Sequence, residues 1–392
     1  MRANPGGQIA PAQVVGRDAL IKRLWRVLER QSLVLSAERR MGKTTIIRKM
    51  EAEVSQKGVL AFYRDLENVR TPIEFVEVIR EDVQSALSLR QRTAQGFLKL
   101  LSTLGGGEAA GVKLPEIAAP SWKRLLEVLI TDLMREPAQT VVFFWDELPL
   151  MIYNIRNSSG EQTAMEVLDT LRALRQMHGS HLRMVFTGSI GLHNVLTSLK
   201  RAGYANDPTN DMLQEDVPPL DPGSAQELAS QLIEGEQLNT PDPQHLARAI
   251  ATAGNGMPFY IQHVVDRLTA IGSAIGAGQV EEVVQQFLCD PQDVLHLRYY
   301  RERIATYYTS AEQPLALAVL DVLAATSPAI GFSEIHSGIQ ANPKTADSED
   351  EAVREILTLL QKDHYITRDS QGNYAFRSSF IQRYWRFARG VL

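Results

Sequence analysis

A lysine followed by two threonines at a helix start, and an Asp-Glu pair at the end of an apolar strand well downstream, are the residues here whose types and spacing suit phosphate chemistry. Ala37-Glu38-Arg39-Arg40-Met41-Gly42-Lys43-Thr44-Thr45 matches the phosphate-loop pattern everywhere except its first position, where alanine stands for glycine. Such a loop follows a strand and turns its backbone N–H groups inward around the β-phosphate. The next helix then presents its positive N-terminus to the same anion. Gly42 allows close backbone approach, Lys43 reaches the β- and γ-phosphates, the Thr44 hydroxyl ligates Mg²⁺, and Thr45 neighbours the α-phosphate. The bland alternative is a chance Gly-Lys-Thr at a helix start. The apolar strand before it and the helix after it argue for the phosphate loop.

Val141-Val142-Phe143-Phe144-Trp145 is continuously apolar and ends in Asp146-Glu147. A buried parallel strand of this kind carries Asp146 to the C-terminal edge of a sheet, where it holds Mg²⁺ through water. Glu147 is then placed to orient and deprotonate the attacking water. The alternative is a solvated acidic turn after a core strand. Thr187-Gly188-Ser189 ends another strand in small polar groups. If that strand lies between the two already named, Ser189 or Thr187 can bond the γ-phosphate or the lytic water; otherwise it is an ordinary turn. Two further segments suit the base or sugar: Val15-Gly16-Arg17-Asp18, where Asp18 can equally be only a helix cap, and Gly254-Asn255-Gly256-Met257-Pro258, where Pro258 can equally be only a first helical residue.

These side chains need a scaffold, and the pattern supplies one. Short apolar runs at 32–36, 59–64, 141–145 and 181–187 alternate with amphipathic stretches, as in an α/β fold with a parallel sheet. Helices are expected over 42–56, 71–92 and 161–178, with Thr71, Pro72 and Glu74 forming a capping box. Ser121 caps a further helix that ends before Pro137. Residues 104–120, with Gly105-Gly106-Gly107, read as an irregular insertion in which 112–117 pairs locally. From Pro218 the strands stop, and helices are expected from Asp221-Pro222, over 243–253 and over 258–271. Residues from Pro314 give three helices (315–325, 332–339, 349–363) and a hairpin (365–368, 373–376), the order of a winged helix. The expected domains are an ATPase domain over 1–217, a helical lid and linker over 218–312, and a winged-helix-like domain with a basic aromatic C-terminal helix over 313–392.

The motifs in this order resemble the archaeal-type AAA ATPases, a branch of the AAA+/STAND P-loop ATPases. The resemblance rests on Val15-Gly16-Arg17-Asp18, Arg39-Arg40-Met41-Gly42-Lys43-Thr44-Thr45, Trp145-Asp146-Glu147, Thr187-Gly188-Ser189 and Gly256-Met257-Pro258. It covers about residues 14–270 well and the C-terminal module more loosely. It implies a parallel sheet of order 5-1-4-3-2, a helical lid, ATP rather than GTP, and a nucleotide-controlled switch or remodelling ATPase that works as an oligomer. Ala37 departs from the pattern, and no arginine finger stands out. Arg201 follows the sensor strand at a suitable distance for one supplied in trans, although an exposed basic helix end is the simpler reading.

Bulk properties narrow the partners. The formal net charge is −5 over 392 residues, so no global basic field draws the chain to nucleic acid or anionic lipid. Cys289 is the sole cysteine, which excludes an intrachain disulfide and fits a cytoplasmic protein. No signal-like segment or membrane span is expected. The third C-terminal helix is preceded or occupied by Asp347, Glu349, Asp350, Glu351 and Glu355 against Lys344 and Arg354, a poor surface for DNA. Arg377, Arg383, Arg386 and Arg389 carry no compensating acid in their own stretch and stand among Phe380, Tyr384, Trp385 and Phe387. They leave open a nucleic-acid contact, a protein interface, or simple docking of the last helix. The expected partners are ATP with Mg²⁺ and a protein partner or further copies of this chain. A switch with very slow turnover and a DNA-associated ATPase of the transposition or origin-binding kind are the alternatives. Lys43→Ala should weaken ATP binding roughly 10–100-fold, the cost of a charge-assisted contact; calorimetric titration with unchanged affinity would refute the phosphate loop.

Overall fold

The computed structural model describes residues 1–86, 107–109, 112–114, 122–135, 139–189, 191–326 and 328–391. They fall into two compact units. One comprises Ala19–Ser36 and Lys43–Asp216; the other comprises Met1–Asp18, Ala37–Gly42 and Val217–Leu392.

The first unit is built on five parallel strands: β1 (Leu33–Ser36), β2 (Leu60–Asp65), β3 (Val141–Asp146), β4 (Leu182–Thr187) and β5 (Leu213–Asp216). Their order is β2-β3-β4-β1-β5, which is the expected 5-1-4-3-2 read from the other edge. The central strands β3 and β4 are buried at every residue, as continuous apolar runs require of parallel strands covered on both faces. Alternation sorts their aromatic rings. Phe143 stacks on Phe62, and Trp145 stacks on Phe143 and Phe186, while Phe144 meets Trp25 edge-on. The register aligns Asp65 with Asp146 and Leu35 with Thr187, so the polar strand ends lie at one edge of the sheet.

Strand β5 is a finding beyond the sequence patterns. Leu213-Gln214-Glu215-Asp216 carries one apolar residue, and an edge strand needs little apolar character. Backbone pairing with β1 and an ion pair from Arg23 to Glu215 at 2.9 Å define it. Arg175 fixes the approach to β5 by donating to both carboxylate oxygens of Asp211 and to the Pro208 carbonyl. The helix Pro72–Ala86 starts at the expected box: Glu74 N–H donates to Thr71 Oγ1, and Thr71 N–H to Glu74 Oε2. The expected continuation of this helix to Arg92, the Ser121 cap, Pro137 and most of 104–120 lie outside the described residues. Of that insertion, Gly107–Ala109 and Val112–Leu114 form an antiparallel hairpin.

The second unit is largely helical. Asp221 caps Pro222–Gly235 by accepting from Ser224 N–H, and Asp242 caps Pro243–Ala253 by accepting from His245 N–H. Pro258–Leu268 follows. Ala277–Cys289 and Arg298–Tyr307 are two further helices not expected from the sequence; Gln279 accepts from Gly276 N–H at the start of the first, and Asp293 accepts from the Leu297 and Arg298 N–H groups at the start of the second. Glu312–Ala325, Phe332–Gln340 and Asp350–Lys362 come next, then the antiparallel pair Ile366–Arg368 and Tyr374–Phe376, and last the helix Ser379–Arg389. No helix among the described residues is long and apolar enough to cross a membrane.

A buried ion pair stands in this unit. Arg303 donates to Asp363 Oδ1 at 2.7 Å with both side chains almost wholly buried, and Tyr308 donates to Asp363 Oδ2 at 2.8 Å. Asp363 holds the Arg303 guanidinium protonated against the cost of burial. Arg303→Ala would leave Asp363 charged and buried without its cation. Stability should fall by about 3–5 kcal/mol, read as a lower urea midpoint; an unchanged midpoint would show that water replaces the guanidinium.

Candidate active site

The phosphate loop runs from the end of β1 to the helix Lys43–Ala52. Ala37 lacks the positive φ that would demand glycine, which explains why alanine is tolerated there. Positive φ falls instead on Gly42 (93°) and on Arg40 (71°), a conformation costly for a side chain with Cβ. Anchors within the second unit hold the loop. Glu38, 1% exposed, accepts a hydrogen bond from the Tyr300 hydroxyl at 2.7 Å. The Arg39 guanidinium lies 4.6 Å from the Tyr299 ring centre, and that of Arg40 lies 4.5 Å from Phe259. Met41 is fully buried, and its carbonyl accepts from Arg17, which also donates to Pro218 O. Burial lowers the Arg17 pKa to about 10, with Asp221 opposing the shift.

The neighbouring motifs explain their glycines. Gly16 has φ 68°, and a Cβ there would come within 2.4 Å of Ser224. The Gly256 carbonyl accepts from Leu220 N–H at 2.8 Å, and a Cβ at Gly256 would lie 2.5 Å from the Leu220 carbonyl. Pro258 opens the helix that carries Phe259 and Tyr260. Asn255 accepts from the Ser379 hydroxyl at 2.8 Å, tying this turn to the start of the last helix.

In the first unit, the Thr44 hydroxyl donates to Asp146 Oδ2 at 2.5 Å, and Glu147 N–H donates to Oδ1 of the same carboxylate at 3.1 Å. Tyr63, whose ring lies under the Arg48 guanidinium, also points its hydroxyl at Asp146, at 3.4 Å. Glu147 sits at φ 56°, directly after the strand. Its carboxylate accepts from Ser189 N–H at 3.0 Å and from the Ser189 hydroxyl at 2.9 Å. Burial raises both acid pKa values. Thr44 opposes the shift at Asp146 and Ser189 opposes it at Glu147, with Lys43 lowering each a little further. Strand β4 lies between β1 and β3, so the condition set for the Thr187–Ser189 turn is met. The Thr187 hydroxyl is buried without a hydrogen-bond partner. Gly188 is needed because a Cβ there would press on Pro149 at 2.8 Å.

Residues 27–196 match the AAA domain family. This chain carries an AAA domain. Within it, the sheet order and the phosphate loop are those of the P-loop ATPase fold. Two solved structures share the fold over nearly the whole chain. The Walker-type ATPase of Pyrococcus abyssi has a TM-score of 0.66 at 15% identity, covering 98% of this chain and 100% of its own. The ORC2 protein of Aeropyrum pernix, in its ADPNP-ADP complexes, has a TM-score of 0.57 at 12% identity, covering 98% and 95%. No curated protein matches the chain.

The AAA domain contains residues 37–45, Asp146, Glu147 and Ser189, whereas Val15, Gly16, Arg17 and Pro258 lie outside it. Structure brings Thr44, Asp146, Glu147 and Ser189 together and adds Tyr63 and Arg48, which carried no motif. Arg201 stands exposed at the end of Leu192–Arg201.

One reading is corrected. The C-terminal arginines do have compensating partners, supplied from elsewhere in the second unit. Arg383 pairs with Glu281, and Arg389 makes a two-pronged pair with Asp321, which also accepts from Trp385 Nε1. Arg386 donates to the Ala324 and Thr326 carbonyls. Phe380, Ile381 and Trp385 face the core, so docking is what most of this helix does.

Proposed function

We propose that the chain binds ATP with Mg²⁺ and hydrolyses it to drive a conformational switch or to remodel a partner. The observation that carries this reading is the joining of Thr44 to Asp146, beside a Glu147 held by Ser189, at the polar ends of adjacent strands. In this reading residues 37–45 cradle the phosphates, with Lys43 on the β- and γ-phosphates, and Val15, Gly16, Arg17 and Pro258 border the base or sugar.

The donor set suits Mg²⁺. A hydroxyl and a carboxylate oxygen are hard ligands, and this ion commonly takes few protein groups and completes its octahedron with phosphate oxygens and water. Thr44 and Asp146 would hold it, and it would neutralise charge on the phosphates. Glu147 accepts the proton of the attacking water. Burial makes its carboxylate a better base, while the two Ser189 donors hold it ionised and weaken that basicity. Catalysis therefore requires the Glu147–Ser189 bonds to loosen as water is engaged.

The same bonds favour a second reading, a nucleotide-holding switch that turns over slowly until a partner shifts Glu147. Copurifying ADP and near-zero basal turnover would select it. A third reading is a DNA-associated ATPase of the transposition or origin-binding kind. Its C-terminal route requires Arg383, Arg386 and Arg389 to exchange their internal partners for phosphates, so salt-sensitive DNA binding lost in the triple alanine variant is its mark. We take 218–312 as the lid and linker and 313–392 as a winged-helix-like module. Its exposed acids at 347, 349–351 and 355 suit a protein surface better than DNA. A cytoplasmic location and self-assembly, with Arg201 as a finger offered to a neighbouring copy, belong to this proposal.

Glu147→Gln should keep ATP binding while turnover falls roughly 10²–10⁴-fold, the range for loss of a general base. Binding measured by calorimetry and phosphate release in the same preparation decide it, and parent-like turnover would place the base elsewhere. Ser189→Ala removes a hydrogen bond to the ionised carboxylate and so raises the Glu147 pKa. The acid limb of the kcat–pH profile should move to higher pH, because ionised Glu147 is then lost sooner as pH falls. A limb that stays put would separate Ser189 from the base.

A further inference from the structure

We propose that Tyr300, far outside the AAA domain, is a positioning residue for the phosphate loop and acts on it through Glu38. The inference rests on the nucleotide-binding reading above. Four successive loop residues are held by groups of the second unit: Glu38 by Tyr300, Arg39 by Tyr299, Arg40 by Phe259 and the Met41 carbonyl by Arg17. The Glu38–Tyr300 contact is the most deeply buried of the side-chain pairs, at 1% and 3% exposure. It is also the one whose loss is most costly, since a carboxylate taken out of water needs donors.

Tyr300 is itself firmly placed. Its helix, Arg298–Tyr307, buries Tyr300, Arg303 and Ile304 along one face. The Tyr300 carbonyl accepts from the Tyr365 hydroxyl at 2.6 Å, and the two rings meet edge-on. Tyr260, on the helix opened by Pro258, stacks on Phe380. One turn along the helix, Arg303 is locked to Asp363. A tyrosine whose ring and backbone are fixed in this way can hold a loop residue in place. A loop whose N–H groups must converge on phosphate, and which carries Arg40 at φ 71°, needs such holding. With the Tyr300 hydroxyl gone, the buried Glu38 carboxylate loses a donor and gains by turning toward water, taking the loop backbone with it. Thr44, Asp146 and Glu147 stand on a separate helix and strand end, so the chemical step suffers less than binding does.

The test is calorimetric titration of the full chain with ADP and with Mg-ATP, together with steady-state kinetics. Tyr300→Phe deletes one oxygen and keeps the ring. It should weaken ADP about tenfold or more, as expected of a hydrogen bond to a charged group, and raise KM by a similar factor with kcat within about threefold. Glu38→Gln keeps an acceptor for Tyr300 and removes the buried charge. Added to Tyr300→Phe, it should recover part of the lost affinity, because a neutral amide left short of a donor costs less than a carboxylate. A purely structural tyrosine would give neither that rescue nor the split between KM and kcat.

Parent affinity in Tyr300→Phe overturns the proposal, and so does a loss that Glu38→Gln fails to relieve. If Tyr300→Phe does not fold, Glu38→Ala carries the same expectation of a tenfold loss, and parent affinity there overturns it equally. A parent chain that binds neither nucleotide removes the nucleotide reading itself, and this proposal with it. A parent that binds beside an unaffected Tyr300→Phe removes only the role of Tyr300.

Discussion

A loop that wraps an anion turns its backbone N–H groups toward the ligand and so cannot spend them on its own stability. Everything else about the site depends on how that loop is held. In this chain its side chains are turned away and anchored: Glu38 on a tyrosine hydroxyl, two arginines on aromatic faces, and the Met41 carbonyl on Arg17. The paired arginines of the loop are seated on rings. Cation–π contacts suit this task because they hold a guanidinium without using an acceptor that the loop or a nucleotide would need. Arg40 in a left-handed conformation shows what the arrangement costs, and Gly42 shows where glycine alone will serve.

The acidic strand end poses the opposite electrostatic problem. Asp146 and Glu147 are adjacent, both buried and both pushed toward protonation by desolvation. Each is kept usable by a hydroxyl from another element, Thr44 from the helix after the loop and Ser189 from the end of β4. A divalent cation near Asp146 would add the charge that burial lacks. Parallel strands in the order observed make this possible, because they bring three polar termini to one edge of a sheet whose interior is aromatic and dry.

The C-terminal half shows how poorly local charge predicts a surface. Its last helix is rich in arginine, yet Glu281 and Asp321, from helices well upstream, neutralise two of the side chains, and backbone carbonyls occupy a third. The buried Arg303–Asp363 pair belongs to the same pattern. These charged groups join helices, while the acidic segment around Asp350 is exposed.

Much of the site was legible in the residues alone. The loop from Ala37 to Thr45, the Asp146-Glu147 strand end and the Thr187–Ser189 turn each combine a periodic element with a polar terminus, and both are local properties. So are the caps at Thr71, Asp221 and Asp242, since a cap and its helix are neighbours in the chain. Strand β5 escaped because an edge strand is defined by pairing, and Leu213–Asp216 has little hydrophobic pattern of its own. The partners of Glu38, Ser189 and Arg389 escaped because they lie 262, 42 and 68 residues away. Local patterning picked out the candidate residues at the loop and at the strand ends. Only the tertiary structure decided what holds those residues in turn, because a buried carboxylate or guanidinium is satisfied by whichever donor or acceptor folding brings to it, and distance along the chain has no part in that choice.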